Sequence, residues 1–222
     1  MQDTSETSHF VEMAAESRTL QVEFSWRNFR THVNYANKPD AGPVYIVESN
    51  SFKSPHLIFE STADKSVVGT GTLHTVSINA DFELHGRHGT LTATKRLQPV
   101  YTYTSYLFSN DGSPKTMTWT SGSACKSFDY ICLDDNMLPV AKFTSRTLAV
   151  KDMARIEFLG PKANDDKFRD EIVVTCITLY WCMAHRSANI FNLFGAMFHR
   201  PGKHECVDSR IEHSSDGKSA PR

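Results

Sequence analysis

Thirteen residues near the end of the chain, "IVVTCITLYWCMA" from Ile172 to Ala184, are apolar in nearly every direction around a helical axis. They are entered through "DDKFRDE", which gathers Asp165, Asp166, Asp170 and Glu171 where a helix has free N–H groups and a positive dipole end. A helix over about residues 168–185 is expected. A helix apolar all round has to be surrounded on all sides. As a membrane span the run is short: at about 1.5 Å per residue it reaches about 20 Å, against a hydrocarbon layer of about 30 Å. As the floor of an active site it offers Thr175, Thr178, Cys176 and Cys182, with no acid, base or ligand pair on the same turns. Both threonine hydroxyls are expected to bond carbonyls one turn back. Enclosure within the fold is the reading that fits.

The enclosing material is legible upstream. Between Val44 and about Leu159 the chain breaks into short runs rich in Thr, Val, Ile, Phe and Tyr, among them "VYIVE", "HLIFE", "TLHTVSI", "GTLTATK", "YTYTSYLF", "KTMTWTS", "LPVAKFTSR" and "ARIEFLG". They are divided by turn-forming stretches such as "NSFKSP", "NADFELHGRHG" and "SNDGSP". Ile156 and Phe158 share one face of "RIEFL", and in "YTYTSY" the tyrosines are placed on one side and hydroxyl residues on the other. Eight or nine strands at spacings near ten residues argue for a mainly β protein, an antiparallel sandwich or barrel. No helix-length segment lies between them, which removes doubly wound α/β folds and their cofactor crevice.

Within the 222 residues this gives a polar N-terminal extension over 1–40, holding a short helix and a first strand, then the β domain with its helix over 41–187. An amphipathic segment follows over 188–199, and a loose tail over 200–222. In the amphipathic segment Ile190, Phe191, Phe194, Met197 and Phe198 recur at helical spacing. The net charge of −1 and pI of about 6.8 give no global field for nucleic acid. No basic-then-apolar leader is visible, and the cysteines number five, an odd count. A reduced, cytoplasmic protein is expected, peripheral to a membrane if it meets one.

The run "MTWTSGSACKSFDYICLDDNMLPVAKF", followed by "ARIEFLG" and "RDEIVVTCITLY", resembles the tubby C-terminal-like superfamily, closest to small fungal members. The matching features are Trp119 heading a strand, "VAKF" (Val140 to Phe143) at the late strand, and Asp170, Glu171, Ile172, Val173, Val174 and Thr175 at the closing helix. LURP-one-related proteins and phospholipid scramblases are more distant relatives. The resemblance covers roughly residues 44–185. It implies a closed antiparallel β-barrel of about twelve strands around a central hydrophobic C-terminal helix. Tubby proteins bind phosphoinositide head groups through basic barrel residues. The candidates for anion or lipid contact here are Lys95 with Arg96, and Lys142 with Arg146.

Other chemistry is thin. His85 and His88 in "HGRH", with Asp81 and Glu83 upstream, imitate a metal site, yet a polar hairpin tip accounts for them. His199, His204 and Cys206 lack zinc-knuckle spacing. "TSGSAC" holds Ser121, Ser123 and Cys125 without a nucleophile elbow. "GTGTLHT" lacks the phosphate-loop lysine, so its glycines are read as a bulge or turn. The aromatics Trp119, Tyr101, Tyr103 and Tyr106 lack the interleaved basic residues of a base-stacking platform. No catalytic residue, cofactor or metal is assigned, and no nucleic-acid partner is expected. The expected function is a non-enzymatic binding module for a phospholipid surface or a protein partner. Ile190, Phe191, Phe194, Met197 and Phe198 form its candidate contact face. The alternatives are an accessory protein or enzyme of small-molecule (secondary) metabolism holding an apolar ligand, and a purely structural domain.

Overall fold

The computed structural model describes residues 18–198 apart from 26, 51, 75–76, 95–98, 122–128 and 146–151, and gives 39, 152 and 188–198 by backbone alone. Twelve strands follow one another: β1 (Thr19–Ser25), β2 (Arg30–Tyr35), β3 (Tyr45–Ser49), β4 (Leu57–Ser61), β5 (Val67–Leu73), β6 (Ala80–Leu84), β7 (Arg87–Ala93), β8 (Val100–Ser105), β9 (Lys115–Thr120), β10 (Tyr130–Leu133), β11 (Pro139–Ser145) and β12 (Asp152–Phe158). The helix α1 (Asp166–Phe198) ends the described chain. Each strand pairs antiparallel with its neighbours in sequence. The meander closes where β1 meets β12, with Leu20 opposite Ile156 and Val22 opposite Ala154. Closure leaves no unpaired strand edge.

Alternation supplies the inner face. Leu20 and Val22, Tyr45 and Val47, Leu57 and Phe59, Met117 and Trp119, and Ile156 and Phe158 are all at most 3% exposed. A barrel of eight strands is filled by its own side chains, whereas a wider one leaves a lumen. Here α1 occupies it. From Ile172 to Leu179 every residue is at most 1% exposed. The helix touches the wall on all sides: Trp181 meets Phe24 of β1, Tyr45 of β3 meets Asp170, Tyr103 of β8 meets Glu171, and Tyr180 meets Phe143 of β11. No helix among the described residues is long and apolar enough to cross a membrane.

Several details depart from the expected layout. The barrel takes in β1 and β2, which lie within the stretch read as an N-terminal extension. "NADFELHGRHG", taken as a divider, contains β6, whose Ala80, Phe82 and Leu84 alternate inward. The helix runs unbroken from Asp166 to Phe198, well past residue 185. Ser105, not Tyr106, shares the inner face with Tyr101 and Tyr103, because residues two apart share a face; Tyr106 is 43% exposed.

The glycines of "GTGTLHT" lie inside β5. A bulge sits beside them at Val68, where Phe59 pairs with Gly69 and Glu60 with Val67. The glycines themselves let the helix approach. A Cβ on Gly71 would fall 2.5 Å from Thr178 Oγ1, and one on Gly69 would fall 3.0 Å from Val174 Cγ2. On the facing turns of α1, Thr175 behaves as expected. It donates to the Glu171 carbonyl at 2.8 Å and accepts from Trp119 Nε1 at 3.3 Å. Thr178 does not, and its buried hydroxyl finds no hydrogen-bond partner.

Candidate functional site

In a meander threaded by a helix, every connection lies at one of two mouths. The helix begins at the mouth formed by the β2–β3, β4–β5, β6–β7, β8–β9 and β10–β11 connections. Asp165 caps it, accepting from the backbone N–H groups of Lys167 (3.0 Å) and Phe168 (3.2 Å). The next turn carries a polar cluster. Arg169 pairs with Asp166 at 2.8 Å, donates to the Tyr45 hydroxyl at 3.3 Å and lies over the Tyr35 ring. Asp170 accepts from Tyr45 and pairs with His85 Nε2 at 3.1 Å. His85 and Gly86 form a two-residue hairpin turn, both at positive φ, so the β6–β7 tip presents the imidazole to the helix. Burial pushes the Asp170 carboxyl up, against the pull of Tyr45, His85 and Arg169. Burial, with Asp170 second, raises the Tyr45 phenol.

One residue deeper, Glu171 is 2% exposed. It accepts from the Tyr103 hydroxyl at 3.0 Å and the Ser105 hydroxyl at 2.9 Å. Ser105 Oγ in turn accepts from the N–H groups of Leu107 and Phe108, which leaves its proton for Glu171. Burial lifts the Glu171 carboxyl from 4.5 to about 7, with the two hydroxyl donors opposing the rise. This mouth joins helix to wall through hydrogen-bonded carboxyl, phenol and hydroxyl groups. His85 pairs with an acid, but among the described residues no nucleophile is hydrogen-bonded to it. The cluster therefore reads as a lock on the helix.

The other mouth, where α1 leaves, has a different chemistry. Arg186 Nη1 donates to the Tyr101 hydroxyl at 2.5 Å, and that hydroxyl donates to the Ile78 carbonyl at 3.0 Å. Phe24 packs against Trp181 and, edge-on, against Phe29 of the β1–β2 connection. Phe29 is nevertheless 63% exposed. On the β3–β4 connection Phe52 is fully exposed, followed by the exposed Lys53. Arg27, two residues before Phe29, is exposed as well. Two connections of one mouth thus each present an uncovered phenylalanine beside a cation. Their exposed rings have no counterpart in the sequence pattern used for strands. For Phe52 the signal was an aromatic placed inside the turn-forming "NSFKSP".

The connections at the two mouths also differ in composition. Among the described residues, those on the exit side hold Arg27 and Lys53 against Asp129. Those on the starting side hold Lys38, Lys65 and Lys162 against Asp40, Asp64, Asp111, Asp134, Asp135 and Asp165. Of the expected anion contacts, Lys142 is exposed on the outer wall of β11 opposite Glu157 of β12. Lys95, Arg96 and Arg146 lie outside the described residues, so no meeting of these pairs is described. Ile190, Phe191, Phe194, Met197 and Phe198 fall on the exit-side continuation of α1, given by backbone alone.

The remaining candidates scatter. His88 pairs with Glu83 at 3.6 Å, Asp81 with His74 at 2.7 Å, and His85 with Asp170. Of the four expected ligands, His88 and Glu83 thus pair with each other while His85 and Asp81 pair elsewhere, and among the described residues no group of three or more His, Cys, Asp or Glu is placed to hold a metal. Ser121 directly follows β9, while Ser123, Cys125, His199, His204 and Cys206 lie outside the described residues. Tyr101, Tyr103 and Trp119 are buried against α1 and offer no face to a base. No family model, no curated protein and no solved structure matches the chain.

Proposed function

We propose that this chain is a tubby-like, non-enzymatic barrel that docks reversibly on an anionic membrane surface through the mouth from which its helix leaves. The observation that carries the reading is the pair of exposed phenylalanines, Phe29 and Phe52, each beside a cation (Arg27, Lys53) at that one mouth. An aromatic ring flanked by a basic residue suits a lipid interface, where the ring enters the acyl boundary and the cation meets phosphate. Arg27 and Lys53 supply the positive charge that an anionic surface would meet. The acidic connections of the opposite mouth favour facing away from it.

The helix extends the same surface. At about 100° per residue, positions 190, 191, 194, 197 and 198 fall within one stripe of α1 beyond Ser187. A twelve-stranded meander closed around a C-terminal helix supports the tubby-like assignment, since that architecture is what the resemblance implied. With the lumen filled by α1, the outer surface and the mouths remain for ligand contact.

Co-sedimentation with vesicles of phosphatidylcholine, with and without phosphatidylglycerol, tests the proposal. The full chain is expected to pellet with the anionic vesicles. A chain truncated after Ser187, and the Phe29→Ser/Phe52→Ser variant, are each expected to lose about tenfold or more, as removal of one or two buried rings implies. Equal binding of all three contradicts the assigned surface. Failure of the full chain to bind, with recovery of a specific protein complex instead, contradicts the lipid reading.

A further inference from the structure

We infer that Phe29 and Phe52 form one pre-set wedge that reads lipid packing, so that curved, loosely packed anionic bilayers are selected over flat, tightly packed ones of equal charge. The inference rests on the docking proposal above and names the kind of membrane it takes. Phe29 ends the β1–β2 connection, and Phe52 lies within the β3–β4 connection. Strands β2 and β3 are neighbours in the wall, with Arg30 opposite Glu48 and Thr31 opposite Val47. The Arg30 guanidinium pairs with the Glu48 carboxylate, tying together the strand ends from which the two rings rise. The β3–β4 connection is closed at its base. There the Asn50 N–H donates to the His56 carbonyl at 2.7 Å, and the His56 N–H donates to the Gly71 carbonyl at 2.9 Å. On the other tip Phe29 stands edge-on to Phe24, which packs against Trp181 of α1. Both stems are thus fixed before any contact, which lowers the ordering cost of insertion.

Phe29 has a φ of 53°, in the left-handed region that a bulky side chain rarely adopts. Glycine or asparagine suits such a turn position better. The ring gains little from the fold in return, since the residue is 63% exposed. Strain that packing does not offset points to a contact outside the fold. Phe52, on the neighbouring tip, is fully exposed.

The two parts of this contact answer to different properties of a bilayer. Arg27 and Lys53 are exposed and respond to surface charge. A ring has to reach the acyl boundary, and in a tightly packed headgroup layer it must first open a gap. Curvature and unsaturated chains leave such gaps. Burial of one ring of this size strengthens binding about tenfold or more. At constant charge, affinity is therefore expected to rise about tenfold from flat, saturated bilayers to curved, unsaturated ones.

The test is flotation of the full chain with vesicles of one phosphatidylglycerol fraction in two forms: small with unsaturated chains, and large with saturated, fluid chains. The wild type is expected to bind the first form about tenfold more tightly. Phe29→Asn/Phe52→Ser is expected to lose most of that ratio. Arg27→Gln/Lys53→Gln is expected to bind both forms more weakly and to keep it. Phe29→Asn alone preserves the turn, and its urea midpoint is expected to be no lower than that of the wild type. Equal wild-type binding to the two forms overturns the inference and leaves docking intact, as does a ratio that survives loss of both rings. A ratio abolished by loss of the two cations also overturns it, because charge would then carry the selection. A clear loss of stability in Phe29→Asn overturns it as well, since the ring would then serve the fold. Absence of binding to either form overturns both this inference and the docking proposal.

Discussion

The phenol of Tyr103 donates to the carboxylate of Glu171 at 3.0 Å in the buried interior, tying β8 of the wall to the central helix. Because burial raises this carboxyl from 4.5 to about 7, the folded barrel binds a proton there more tightly than the unfolded chain does. The folded state is therefore favoured most below about pH 4.5, and that stabilisation is lost as the pH rises through about 7. The shift corresponds to about 3 kcal/mol in order of magnitude. Asp170, raised by the same cause, acts in the same direction.

Urea unfolding between pH 5 and 8 is expected to show stability falling with pH in the wild type. Glu171→Gln keeps the shape and removes the titration, so its slope over that range should be markedly flatter. A wild type whose stability rises from pH 5 to 8, or a variant with the same slope, contradicts the assignment of this proton to Glu171.

Gly71 lets the wall approach the helix, because a methyl group there would press on Thr178. Gly71→Ala should cost about 1–3 kcal/mol, the usual range for overpacking. The contact predicts non-additivity. In a Thr178→Ala background, which clears the nearest atoms, the same substitution should cost distinctly less. Additive effects in chemical denaturation would show that the two residues do not meet.

His85 combines a turn conformation with an ion pair, and two substitutions separate them. Asparagine tolerates positive φ, so His85→Asn should lose only the partly exposed pairing with Asp170, up to about 1 kcal/mol. His85→Ala loses the pairing and also strains the backbone, and should be less stable than His85→Asn by about 1–2 kcal/mol. Equal stabilities of the two variants would show that the hairpin turn contributes nothing.

The enclosed helix was legible because Ile172 to Leu179 present apolar groups in every direction, a pattern that only encirclement satisfies. The strand count came out low because β1 and β2 fall in the stretch read as an N-terminal extension and β6 in one read as a divider. The segment holding β6 is rich in Asn, Asp, Gly and His, and those residues suggest a turn. The "A-x-F-x-L" alternation before His85-Gly86 was the stronger signal, since the cross-strand pairs with β7 decide the outcome. The polar lock was hidden because Tyr103 and Ser105 each lie 66 or more residues from Glu171 in sequence and meet it only once the barrel closes. Thr178 shows the opposite failure. Local chemistry offered its hydroxyl a carbonyl one turn back, and packing against Gly71 left that bond unmade.

The orientation of the barrel on a bilayer is the central claim, and an environment-sensitive fluorophore at each mouth measures it directly. The label is placed on Phe52→Cys or on Met137→Cys, whose side chain is 63% exposed at the opposite mouth. Cys125 and Cys206 are replaced by serine, while Cys132, Cys176 and Cys182 are buried in the fold. With anionic vesicles carrying brominated lipid, the label at 52 is expected to shift to the blue and be quenched, and the label at 137 to stay unchanged. Quenching at 137, or none at 52 in protein that has bound the vesicles, would contradict the account.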